Sequence, residues 1–295
     1  MYNIDRLYEG VAKRGPVCVG LDTAPEYIPP AELRRAPSDA EGILAFNRAI
    51  IDATMDLAAC FKVQIAYYEA LGLRGLECYA KTLKYIRDRG GLSIADIKRG
   101  DIADTAARYA RAHFEGGLEA DFVTLSPYMG MDSLEPWFSY ADRHGKGAFV
   151  LMRTSNEGMR DFQYRELVEP AASPPRRLYQ AVGDRLAEKA AAYRGAYGYG
   201  AFGAVVGCTI PEEAAAIRAR YDGLFFLIPG YGAQGGGAAD AALLLRDGNG
   251  GVVNASRSIL RAWTRRREDG NNADAADAAR EAVVEMRDAI RRTRE

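Results

Sequence analysis

The stretch Leu92-Ser-Ile-Ala-Asp96-Ile-Lys98-Arg-Gly-Asp101-Ile-Ala-Asp-Thr105 decides the fold, because it runs from an apolar, β-prone segment through alternating charges and a glycine into a helical segment. Residues two apart in a strand share a face, so Asp96 and Lys98 are expected side by side. Gly100 is expected to let the chain turn, and Asp101 to open the next helix. A solvated strand end followed by a helix cap would give the same string, so its surroundings must decide between the two.

Those surroundings repeat the strand-to-helix transition. Val17-Cys-Val-Gly-Leu21 reads as a buried parallel strand with Asp22 at its carboxyl end. Cys60-Phe-Lys62-Val-Gln64-Ile65 is a second, and a lysine inside it requires a partner or a polar site. Further strands are expected at 122–125, 148–151, 202–206, 224–228 and 251–255. Helices are expected at 38–57, 79–89, 102–114, 134–143 and 179–193, with another opened by Pro211. Eight strand signals alternating with helices predict a single (β/α)8 barrel of parallel strands over residues 1–295. A doubly wound open sheet is the alternative. Ala279, Val283, Met286 and Ile290, spaced four, three and four apart, predict a C-terminal amphipathic helix at about 273–292, behind an exposed linker at 269–274. The connection from about 156 to 175 is long and contains three prolines.

Composition narrows the partner. With 39 basic and 40 acidic residues the net charge is -1, which supplies no field toward nucleic acid or an anionic membrane. The four cysteines lack C-x-x-C spacing and the two histidines, His113 and His144, form no zinc pattern, so no metal site is expected. No apolar run of about 18 residues and no basic-then-apolar leader is present, which points to a cytoplasmic enzyme with a small substrate.

Two clusters carry chemistry. Gly230, Gly232 and Gly235 to Gly237 allow backbone amides to approach an anion, Gln234 adds a donor, and Arg257 follows the last strand. In barrels the loops after strands seven and eight commonly bind phosphate, and both signals fall there. Lys62, Asp96, Lys98 and Asp101, joined by Asp22, form the second cluster, for which a structural ion-pair network is the lesser alternative.

Taken in order, 17–25, Phe61-Lys62-Val63-Gln64, 96–105, Arg153-Thr-Ser155-Asn156, 229–236 and Asn254-Ala-Ser256-Arg257 resemble the orotidine 5′-phosphate decarboxylase family, and its bacterial type 2 branch in particular. The resemblance implies a cofactor-free conversion of orotidine 5′-phosphate to uridine monophosphate and carbon dioxide. It assigns catalysis to a Lys62, Asp96, Lys98, Asp101 array. It also implies a homodimer in which Asp101 and Thr105 enter the partner's site. Asp22, with Lys62, would hold the ribose and Ser155 the pyrimidine. Gln234 and Arg257 would hold the phosphate, with Ser256 also on the substrate side. Glu157 stands where relatives often have proline, and 156–175 has no secure counterpart. The rivals are metal-using phosphosugar decarboxylases and aldolases with a similar D-x-K-x-x-D strand, and a non-catalytic phosphometabolite-binding barrel.

Overall fold

The computed structural model describes residues 1–168, 175–232, 234–268 and 274–293. Its strands are β1 (Val17–Gly20), β2 (Cys60–Gln64), β3 (Ser93–Arg99), β4 (Phe122–Leu125), β5 (Gly147–Arg153), β6 (Phe202–Val206), β7 (Phe226–Ile228) and β8 (Gly251–Ala255). Each pairs in parallel with the next, and β8 returns to β1 with Val253 opposite Val17, closing a barrel and excluding the open sheet. The strands read as continuous apolar runs because both of their faces are covered. One face, with Cys18, Cys60, Ile94, Phe122, Phe149, Val205 and Leu227, fills the barrel interior. The other, with Val19, Val63, Val123, Val150 and Val253, packs under the helices.

Several elements differ from expectation. A helix at Asn3–Arg14 was not anticipated; its Ile4, Leu7 and Val11 join the interior cluster. The helix before β3 runs Gly72–Asp88, and a short helix, Ile65–Glu69, follows β2 directly. Ser38 caps helix Asp39–Thr54 by accepting a bond from the Glu41 amide, 3.4 Å. β7 begins two residues later than its apolar run, though Leu224 and Phe225 are buried. The segment after β5 holds a short helix, Met159–Phe162, and a two-residue antiparallel ribbon pairing Glu166–Leu167 with Arg176–Arg177. The final helix is Ala275–Arg292, capped by Asp274, and buries Ala279, Val283, Met286 and Ile290 together with small alanines. The expected linker lies, apart from Asp274, outside the described residues.

The expected turn at Gly100 also needs correction. The left-handed backbone falls instead on Lys98 (φ 46°) and Ala103 (φ 47°). Gly100 serves close approach: a Cβ there would lie 3.1 Å from the Ser126 carbonyl oxygen. Helix Ala103–Phe114 has Ile102 at its cap without a side-chain bond, so Asp101 does not cap it.

Candidate active site

Alternation along the strands carries polar groups to the carboxyl end of the interior. On β2, Lys62 and Gln64 follow inward-facing Cys60; on β3, Asp96 follows Ile94. Lys62 Nζ lies 3.0 Å from both Asp22 Oδ1 and Asp96 Oδ2. Lys98 Nζ is 2.7 Å from Asp96 Oδ1, and Gln64 Nε2 donates to Asp96 Oδ2 at 2.9 Å. Ser256 Oγ, after β8, donates to Asp22 Oδ2 at 2.8 Å. The structure therefore joins Ser256, Asp22, Lys62, Asp96 and Lys98 in one continuous chain of bonds. Gly20 makes room for it, since a Cβ there would fall 2.0 Å from Ser256 Oγ.

Charge compensation holds this chain ionised. Burial works against the Lys62 ammonium, but the charges of Asp22 and Asp96 and their hydrogen bonds more than reverse it and hold its pKa above the usual lysine range. Burial likewise opposes the Asp96 carboxylate, and the charges of Lys62 and Lys98, with bonds from Lys98 and Thr124, overcome it and hold its pKa well below the carboxylate range. Removing one member of such a buried pair costs about 3–5 kcal/mol, because the other charge is left uncompensated.

Thr124 was not anticipated, since a threonine in an apolar strand is ordinary. β3 bulges against β4, where Ala95 faces Val123 but Arg99 faces Leu125. Inside the bulge the Lys98 amide donates to Thr124 Oγ1 at 3.0 Å, and that hydroxyl donates to Asp96 Oδ1 at 2.8 Å. One hydroxyl thus fixes both the Lys98 backbone and the Asp96 carboxylate, and the bulge aims the Lys98 side chain, about half exposed, into the mouth.

The remaining expected residues surround this core without bonding to it. Ser155 follows β5, and a Cβ on Gly230 would sit 3.3 Å from the Ser155 Cβ. The loop after β7 turns through left-handed Gly230, Gly232 and Gly235, where other residues would be strained. A Cβ on Gly232 would lie 3.7 Å from Ser258, so the loops after β7 and β8 adjoin. Gln234 and Arg257 are exposed there. Asp101 stands apart: its carboxylate accepts a bond from the Ile102 amide at 2.8 Å, and Thr105 is exposed. The structure does not bring either to Lys98 within one chain. Among the described residues, no three His, Cys, Asp or Glu side chains are grouped to hold a metal ion.

Charged side chains from successive strands, meeting at the carboxyl end of a closed barrel beside a glycine-rich loop, are the arrangement of a (β/α)8-barrel enzyme. The chain belongs to the orotidine 5′-phosphate decarboxylase / HUMPS family, whose model it matches over residues 15–268. It is 53% identical over 287 residues to the orotidine 5′-phosphate decarboxylase of Clostridium perfringens strain SM101, covering 97% of each chain. The Clostridium acetobutylicum counterpart is 50% identical over 290 residues, covering 98% of this chain and 99% of that one. Among solved structures, Leishmania donovani OMP decarboxylase superposes with a TM-score of 0.75 at 36% identity over 99% of both chains. Leishmania donovani UMP synthase superposes at 0.76 and 38% identity; the chain spans 57% of that longer protein.

Proposed function

We infer that the chain is an orotidine 5′-phosphate decarboxylase, releasing carbon dioxide and uridine monophosphate in pyrimidine biosynthesis, with residues 1–295 forming one catalytic unit. The end-to-end likeness to the Clostridium enzymes carries this reading. The rival reading is a metal-using phosphosugar decarboxylase or aldolase with a similar D-x-K-x-x-D strand. Against it, the Lys62 ammonium already bridges the carboxylates of Asp22 and Asp96 and compensates their charge.

When the C6 carboxylate leaves, its bonding pair stays on C6 with little resonance relief. Lys98 stabilises that charge and then passes a proton from Nζ to C6. Asp96 positions Lys98 and, with Asp101, crowds the departing carboxylate. Asp22 and Lys62 hold the ribose, Ser155 the pyrimidine, and Gln234 and Arg257 the phosphate, with Ser256 beside Asp22. No metal or organic cofactor takes part. One charge pair about 4 Å apart at an effective dielectric near 20 contributes roughly 4 kcal/mol, or about three decades in rate. The rest of the acceleration comes from phosphate and ribose binding that drives closure and desolvation.

The working unit is a homodimer in which Asp101 and Thr105 complete the partner's site. Exposed Ile102, Tyr128 and Met129, which follow β3 and β4 as Asp101 and Thr105 follow β3, give that contact its apolar surface. The compartment is the cytoplasm. Cys18 and Cys60 sit opposite each other on β1 and β2 yet are free thiols, which suits a reducing environment.

The test follows the absorbance of orotidine 5′-phosphate with and without EDTA. Turnover unchanged by EDTA is expected; turnover that requires an added divalent cation would overturn the cofactor-free reading.

A further inference from the structure

Arg218 is buried with no acid bonded to it among the described residues, the Asp222 carboxylate acting on it only through space. It lies on helix Pro211–Arg220, is 7% exposed, and forms no ion pair among the described residues. Its guanidinium donates to the carbonyls of Gly250 (3.2 Å), Leu224 (2.7 Å) and Tyr221, stands over the Phe226 ring, and leaves Nε unpaired. Carbonyl dipoles solvate a cation but do not cancel its charge, so a positive field is left at the amino end of the barrel.

That field faces a cavity of about 710 Å³, within the range of small-molecule sites. Its wall passes through Gly223 and Asn249, next in sequence to the Leu224 and Gly250 carbonyls that Arg218 grips. Four more arginines line it. Among the described residues the side chains of Arg194, Arg246 and Arg291 make no hydrogen bond or ion pair, and Arg287 pairs with its neighbour Asp288 at 2.8 Å. Asp222 and Asp247 are the acids on the wall, two against four. Cationic side chains gathered around one cavity, in excess of the acids on its wall, favour an anion there.

The same cavity has an aromatic side. Tyr8 and Tyr197 are stacked with centroids 4.3 Å apart at 16°, and Tyr199 lies 5.8 Å from Tyr8. A flat ring laid on this side extends the stack, while its charged groups reach the guanidinium groups. We propose that this cavity is a second binding site, for a nucleoside di- or triphosphate, with the ring against Tyr8 and Tyr197 and the phosphates on Arg194, Arg246 and Arg291. It lies at the opposite end of the barrel from Lys98 and is independent of the decarboxylase assignment.

The full-length protein is titrated by calorimetry at low ionic strength with two probes, ATP and inorganic tripolyphosphate. One ATP per chain is expected, with tripolyphosphate binding more weakly. The Arg246→Ala/Arg291→Ala protein should lose at least about tenfold in affinity for both probes, with its basal turnover unchanged. Tyr197→Ala should weaken ATP but not tripolyphosphate. Arg257→Ala, at the catalytic mouth, should leave both intact. Should the double variant fail the circular-dichroism check for folding, Arg194→Ala replaces it with the same expected loss. Failure of both probes to bind, or binding lost in Arg257→Ala and kept in the double variant, overturns the site. Indifference of ATP to Tyr197→Ala overturns its nucleoside part.

Discussion

The two halves of residues 96–105 stand in opposite surroundings. Asp96 is buried, bonded to Lys62, Lys98, Gln64 and Thr124, and held by three strands of its own barrel. Asp101, five residues later, bonds to a neighbouring backbone amide, and Thr105 faces outward from its helix. The strand half has its chemistry fixed by closure of the barrel. The helix half presents equally polar groups that bond to no member of the charged array among the described residues.

The largest effects test that contrast directly. If both groups act on the reacting centre as proposed, Lys98→Ala and Asp101→Ala homodimers should each lose at least about three decades in kcat, with product affinity changed only a few-fold. Mixed in equal amounts with full subunit exchange, the two dead proteins should recover about 25% of wild-type activity, because each hybrid dimer carries one intact site beside one doubly defective site. If native mass spectrometry shows hybrids and activity stays absent, Asp101 works within its own chain and the contrast dissolves.

A second effect concerns the platform of the outward half. His113 lies buried on helix Ala103–Phe114, where burial, with a smaller contribution from the Arg99 charge, pushes its pKa down to about 4. The unfolded chain takes up this proton near pH 6.5 and the folded chain does not, so stability is lost as pH falls from about 6.5 toward 4. The loss is of order 3 kcal/mol. Urea midpoints measured across that range should fall less steeply for His113→Phe. Parallel curves for the two proteins would show that His113 does not titrate in this way.

The smallest effect belongs to the inward half. Thr124→Val keeps the shape and removes the hydroxyl that holds both the Lys98 amide and Asp96. A fall of about tenfold in kcat with little change in KM is expected, with Thr124→Ser restoring most of it. A KM effect without a kcat effect would mean that Thr124 does not position Lys98.

The barrel was legible because strands covered on both faces are apolar throughout, and for the same reason Lys62 stood out as a charge that needed partners. Asp22, Lys62, Asp96, Lys98 and Ser256 were readable by position, each falling at the carboxyl end of a strand. The bulge in β3 was not: glycine at 100 suggested the site of the turn, but the left-handed conformation falls on Lys98, and only the pairing with β4 reveals it. Thr124 carries no local signal, since its role arises from a neighbouring strand. Helix Asn3–Arg14 had the three-and-four spacing of Ile4, Leu7 and Val11 to announce it, but precedes the first strand, where the strand-helix alternation has not begun. The half-buried position of Asp101 and the exposed positions of Gln234 and Arg257 follow from loop geometry, which spacing does not encode.

The bond from Ser256 to Asp22 crosses the seam where the last strand meets the first, joining residues 234 positions apart. On a ribosome, Asp22 emerges 234 residues before its partner is made. Until β8 is released, Asp22 lacks Ser256, β1 has one unpaired edge, and Arg257 is absent. A prematurely terminated chain is therefore no weaker version of the enzyme: it holds most of the charged array and has no closed barrel to confine it. Synthesis itself keeps the site incomplete until β8 and the residues that follow it have emerged.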